Sequence, residues 1–184
     1  MPLSITQFVG GPAGPWQVER VDAVIGANLR AVERLAVVEG TGGIGTEAGW
    51  VLRGAASYER YTIRTEHDAL VAAQEVLGRP KAECAALIPV AKSAAWWALP
   101  QDERRQIFED RSMHIRTGAR YLPAVARRLY QSRDLGEPFD FLTWFEYAPS
   151  DAAAFEELVA LLRATEEWSY VDREVDVRLR RVAG

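Results

Sequence analysis

The chain has 184 residues, 48% of them hydrophobic and 26% charged, which suits one globular domain, or two small fused halves, with a real core. Its net charge of −4 excludes nucleic acid as a main partner, because neutralising phosphates needs a basic face, so attraction for a small anion has to be local. One cysteine and two histidines exclude an internal disulfide and any Cys-rich zinc or iron–sulfur site.

In chain order, Gly10–Pro15 reads as a loop and Trp16–Ile25 alternates as a strand. Glu39–Gly45 is Gly-rich but lacks the lysine and spacing of a phosphate loop, and is expected to be a hairpin or connector. Trp50–Tyr61 resembles a strand. Glu66–Leu77 has helical spacing, with Leu70, Ala73 and Leu77 on one face and Gly78 and Pro80 closing it. Ala85–Ala91 is a strand, and Pro100-Gln-Asp-Glu opens a helix with its acids first, as the helix dipole favours. A second helix is expected to carry His114, Gly118, Tyr121 and Leu122. Phe139–Tyr147 is an aromatic strand, and Asp151–Ala164 a helix capped by Ser150 or Asp151. Trp168–Leu179 alternates Tyr170, Asp172, Glu174 and Asp176 against Val171, Val175 and Val177, as a strand with a polar and an apolar face would. Strands interleaved with helices, and no Pro-, Gly- or Ser-rich linker, predict a single α+β domain of ferredoxin-like character.

No stretch approaches the ~20 apolar residues of a membrane helix. Met1–Phe8 also has neither the basic nor the apolar region of a secretion signal. The expectation is a cytoplasmic chain without a membrane partner. Cys84 lies in the apolar run Cys84–Val90 and reads as a buried thiol.

Few residues can carry chemistry. His67, between Glu66 and Asp68, reads as solvated, and there is no His-x-x-x-His and no Ser/His/Asp set. Taken alone, His114, amid Asp110, Arg111 and Arg116, reads as a surface or satisfied core residue more readily than as a metal ligand. A single functional histidine without companion ligands suits an axial bond to haem, where the porphyrin supplies the other four nitrogens. Arg127, thirteen residues on, reads by itself as an ordinary solvated helix-end charge beside Arg128, with a cation for an anionic reactant as the functional alternative. On one straight helix the two would point about 220° apart. Pro123 lies between them, and a break there would let both reach one cavity. Trp96-Trp97 and Trp144 suit core or interface packing, and Lys92 and Glu167 suit either surface charges or a buried pair.

These residues stand in strings that resemble the chlorite dismutases, and within them the short, dimeric branch, from about Trp16 to Arg180. The strings are Arg53-Gly with Arg60-Tyr61, Ala86-Leu-Ile-Pro89, Lys92-Ser-Ala-Ala-Trp-Trp97, Asp102-Glu-Arg-Arg105, Ile107-Phe-Glu-Asp110, His114, Tyr121-Leu-Pro123, Glu137–Tyr147 and Ala164-Thr-Glu-Glu-Trp168. The resemblance implies a dimeric α+β barrel of two ferredoxin-like halves. Residues 1–95 would be the trimmed N-terminal half and 96–184 the haem-binding half. It implies haem b with His114 as the proximal iron ligand, Glu167 accepting from its other ring nitrogen, and Lys92 in the same network. It also implies Arg127 as the catalytic cation above the iron, and Gln74, Tyr61 and Trp96 as residues around the cofactor. The implied reaction converts chlorite to chloride and dioxygen through a ferryl species and a recombining hypochlorite, in a homodimer with a detoxifying role. Coproheme decarboxylase-like or peroxidase-like activity, or non-catalytic haem binding, remain the alternatives.

Overall fold

The computed structural model describes residues 4–43, 45–56, 62–73 and 76–182. Eight strands, β1 (Ile5–Gly11), β2 (Trp16–Ile25), β3 (Arg34–Glu39), β4 (Trp50–Ala56), β5 (Cys84–Lys92), β6 (Val125–Gln131), β7 (Phe141–Tyr147) and β8 (Val171–Arg181), form a closed antiparallel barrel. Its order is β1-β3-β2-β8-β5-β7-β6-β4. Numbered within each set of four, β1–β4 and β5–β8 both run 4-1-3-2, the strand order of a ferredoxin-like unit. The fold is therefore α+β, with two such units closed on each other inside one chain.

The halves differ in what covers them. Over β5–β8 lie α2 (Ala94–Ala98), α3 (Gln101–Arg105), α4 (His114–Ala119) and α5 (Ala152–Arg163). Among the described residues, the first half has no helix between its strands. β1 passes to β2 through Pro12–Pro15, which crosses the backbone of β3 at Leu35, where a Cβ on Gly14 would collide with the Leu35 carbonyl. Gly14 has φ 145°, so glycine is required there on both counts. The Gly-rich segment after Glu39 joins β3 to β4 across β1, which lies between them, so it is a connector and not a hairpin. The Gln7 side chain donates to the carbonyls of Gly40 and Gly42 at 2.9 and 3.2 Å, and the Gly49 N–H donates to the Gly10 carbonyl at 2.8 Å.

Two cores result. One fills the barrel, where Phe8, Leu35, Leu52, Leu87, Tyr130 and Leu142 are almost wholly buried. The other lies between the outer face of β5–β7 and α5. There Phe155, fully buried, stacks on Tyr147 at 4.4 Å, and a large side chain buried this way contributes about 1.5–3 kcal/mol.

Several expectations change. β1, β3 and β6 are strands that the pattern did not predict. The second-half strand expected over Trp168–Leu179 begins at Val171, after a short helical turn over Glu166–Tyr170, and Glu174, Asp176 and Arg178 on its polar face are buried. That face packs under α5 instead of meeting water, and its charges are neutralised by one another and by Glu156 and Arg163 of α5. The Asp151 side chain does not cap α5; a turn led by Pro149 precedes the helix. The helix expected over Glu66–Leu77 is α1 (Arg64–Ala73), and the strand expected to reach Tyr61 is described to Ala56. Gln74 and Tyr61 lie outside the described residues.

Candidate active site

A cavity of about 500 Å3 lies between the outer face of β5–β8 and the helices, within the range of small-molecule sites. Its strand wall carries Ile88, Val90, Leu129, Phe141, Thr143 and Phe145, and its helical wall carries Leu70, Trp96, Phe108, Ile115, Val159, Leu162 and Trp168. Most of this lining is apolar. Four of its polar members are His114, Glu167, Lys92 and Arg127.

His114 opens α4, and Pro123 falls where the chain leaves that helix. α4 stops at Ala119, a turn follows with the Val125 N–H on the Tyr121 carbonyl at 2.9 Å, and β6 carries Arg127 on the opposite wall. A helix-to-strand change thus replaces the single helix the sequence pattern suggested, and both side chains meet one cavity. Gly118 is the matching device on α4. An added Cβ there would collide with the Arg127 guanidinium, so the bare backbone leaves that group its place.

Below His114 the geometry is tight. Its Nδ1 lies 2.6 Å from Glu167 Oε2, and Lys92 Nζ donates to Glu167 Oε1 at 2.8 Å. Glu167 is 3% exposed and Lys92 8%, so this is a buried charge pair and not the surface alternative. Burial alone would push the Glu167 carboxyl up. The nearby charges and hydrogen bonds of His114 and Lys92 outweigh it and hold the carboxyl at about 2. With Nδ1 committed to Glu167, Nε2 is the imidazole nitrogen left for a ligand. The ring is clamped by parallel stacking on Phe108 at 4.4 Å and on Trp168 at 6.5 Å. Lys92 Nζ stands 4.8 Å from the Trp96 ring and 5.2 Å from that of Trp168, which softens the cost of burying it.

The sequence pattern missed several members of this assembly. Trp168 Nε1 donates to Glu174 Oε2 at 2.7 Å, and Glu174 Oε1 takes two bonds from Arg163, at 2.8 and 2.6 Å. Asp140, also buried, accepts from the Lys92 N–H at 2.6 Å and from Trp97 Nε1 at 3.1 Å, tying β5 and α2 together. Ser112 Oγ accepts from the Glu167 N–H at 3.0 Å. The Asp140 and Ser112 contacts join segments 43 to 55 residues apart, and although Trp168 and Arg163 stand only 6 and 11 residues from Glu174, they lie on other elements, so no single helix or strand period signals them.

Residues 39–181 match the family model described as chlorite dismutase. Over 84 residues the chain is 36% identical to the chlorite dismutase of Ideonella dechloratans, a match that covers 46% of this chain and 27% of that protein. The structure is similar to a dimeric chlorite dismutase from Nitrobacter winogradskyi, with a TM-score of 0.89 and 56% identity over 96% of this chain and 99% of that one. A chlorite dismutase of Candidatus Nitrospira defluvii in complex with imidazole has the same fold, with a TM-score of 0.70 at 19% identity over 97% of this chain and 92% of that one. A family model that spans most of the sequence, and a solved relative alike along nearly all of both chains, place this chain in the chlorite dismutase family.

Proposed function

We propose that the chain is a haem b enzyme that converts chlorite to chloride and dioxygen. The observation that carries the reading is the His114–Glu167–Lys92 chain in one wall of an apolar cavity whose other wall bears Arg127. Among the described residues no group of three or more His, Cys, Asp or Glu could hold a bare metal ion. A metal that brings four porphyrin nitrogens needs only one protein ligand, and a single buttressed imidazole facing a slot of apolar side chains fits that need. When bound, haem supplies iron that can exchange an oxygen atom with the substrate.

The chain's own residues define the rest. His114 would ligate through Nε2. Glu167, accepting at Nδ1, gives the imidazole stronger donor character, and Lys92 on the same carboxylate tempers it. Arg127 would bind chlorite by charge and hydrogen bonding in a cavity of low dielectric, and would then retain the hypochlorite fragment until the O–O bond forms. The overall change balances without help: chlorine gains four electrons, the two oxygens lose four, and no proton is exchanged. This agrees with a pocket whose described lining carries His114 and the Arg127 cation but no Ser/His/Asp set. Trp96 would pack at the cofactor's side from α2. Tyr61 and Gln74 are assigned to the cofactor's surroundings by family resemblance.

Strand order supports a first half of β1–β4 and a haem-binding half of β5–β8, which draws β5 into the second half. The dimeric Nitrobacter relative supports a homodimer. A cytoplasmic location is supported by the lone buried Cys84, and no helix among the described residues is long and apolar enough to cross a membrane. The test is to load the purified chain with haem b, record the Soret band and add chlorite at an oxygen electrode. One dioxygen and one chloride per chlorite is expected, with both propionates intact on the recovered porphyrin. A Soret band without oxygen release would refute the activity.

A further inference from the structure

α4, which carries His114, is only six residues long, and a helix that short does not hold its own direction in water. Its first N–H groups need acceptors from elsewhere. They do not come from the residue before it: Met113 takes a left-handed φ of 51°, makes no side-chain cap and is 46% exposed. That conformation costs about 1–2 kcal/mol for a non-glycine residue, so something outside the helix must stabilise it.

Glu109 does. It lies on the π-helical turn Gln106–Arg111 that precedes the kink, and it is 4% exposed. Its Oε2 accepts from the Ile115 N–H at 2.7 Å and its Oε1 from the Arg116 N–H at 3.3 Å, both in the first turn of α4. Its backbone carbonyl accepts from the Met113 N–H at 2.9 Å, so one residue grips the chain on both sides of the kink. The same stretch reaches the site twice more. Phe108 stacks on the His114 ring, and Ser112 Oγ holds the Glu167 backbone. Turns of this wide type cluster at functional sites.

We infer that Glu109 is a positioning residue that sets the direction in which His114 presents its imidazole, the ring nitrogen that ligates iron in the function proposed above. It is not among the residues that line the cavity and acts through the α4 backbone. The acid does not serve as a proton donor or acceptor in any step.

The test compares wild type with Glu109→Ala and Glu109→Gln. The chain has two histidines, so their imidazole 15N signals can be separated by one His67→Gln control. Without cofactor, the His114 Nδ1–H signal should be present in wild type and Glu109→Gln, and shifted or lost in Glu109→Ala. With haem b, Glu109→Ala should bind about 10–100-fold more weakly, the range for lost support of a metal-ligating histidine, and its ferrous iron–imidazole stretching frequency should move. Glu109→Gln, whose amide oxygen can replace one of the two carboxylate acceptors, should fall between wild type and Glu109→Ala in both effects. Should Glu109→Ala fail to fold, Glu109→Asp, one methylene shorter, should shift the same signals. A folded Glu109→Ala or Glu109→Asp with unchanged imidazole signals overturns the inference, even if its melting temperature falls. If His114 responds but wild type takes up no haem, the cofactor reading fails and the positioning role stands.

Discussion

Removing the Glu167 carboxylate is the sharpest perturbation this structure offers. In Glu167→Ala the Lys92 ammonium would stay where its side chain is 4% exposed, with only the more distant Glu167 carbonyl at 3.4 Å and two indole rings as partners. Two unit charges 2.8 Å apart attract by about 6 kcal/mol at an effective dielectric of 20, part of which desolvation cancels. Lowering the carboxyl from its usual 4.5 to about 2 corresponds to roughly 3 kcal/mol of preference for the folded state. Both figures agree with the about 3–5 kcal/mol typical of breaking a buried pair by removing one partner. Urea unfolding of the cofactor-free chain at pH 7 should therefore show Glu167→Ala destabilised by about 3 kcal/mol or more. The paired change Lys92→Met with Glu167→Gln, which removes both charges, should cost about 1 kcal/mol. The sign with pH follows from a depressed folded pKa. The contribution is complete above the unfolded carboxylate range and disappears as pH falls from about 4.5 towards about 2. A Glu167→Ala chain within 0.5 kcal/mol of wild type would refute the buried-pair argument.

Other outcomes follow from the same geometry. His114→Ala should fold but give no stable Soret band after haem loading and gel filtration. Arg127→Ala should retain haem yet bleach after about tenfold fewer turnovers, since a charge-assisted hydrogen bond contributes about 1.5–3 kcal/mol; an unchanged number of turnovers would remove Arg127 from that role. Asp176 is buried, and burial would push its carboxyl up, but Arg178 and Arg163 win and hold it below the usual range. Asp176→Asn should cost about 2 kcal/mol at pH 7, and the gap to wild type should close in denaturation curves as pH drops through the carboxylate range. Burial pushes the Cys84 thiol up, so a disulfide reagent at pH 8 should label it only on unfolding.

Local pattern was enough for some elements and not for others. Trp16–Ile25, Cys84–Lys92 and Phe141–Tyr147 declare themselves by apolar content and alternation. Val125–Gln131 does not: its central Arg127-Arg128 pair reads as a solvated helix end, and only pairing with β4 and β7 makes it a strand. β1 ends in two glycines, and its partners, β3 and β4, lie on either side of it in the closed barrel. The alternation of β8 is real, but its polar side faces Arg163 of α5 rather than solvent, which no period-two count can reveal.

Composition and local order determined that this chain is an α+β protein poor in metal ligands, with one histidine worth following and the residue strings of a known family. Tertiary structure alone decided that Glu167 and Lys92 are a buried pair on His114, that Arg127 faces the same cavity from a strand, and that Glu109 holds the short helix between them. The physical reason is range. Propensity and periodicity act over a few neighbouring residues, whereas the charges that define this site stand 53 and 75 positions apart in sequence and meet only when the sheet closes and burial forces each to find a partner.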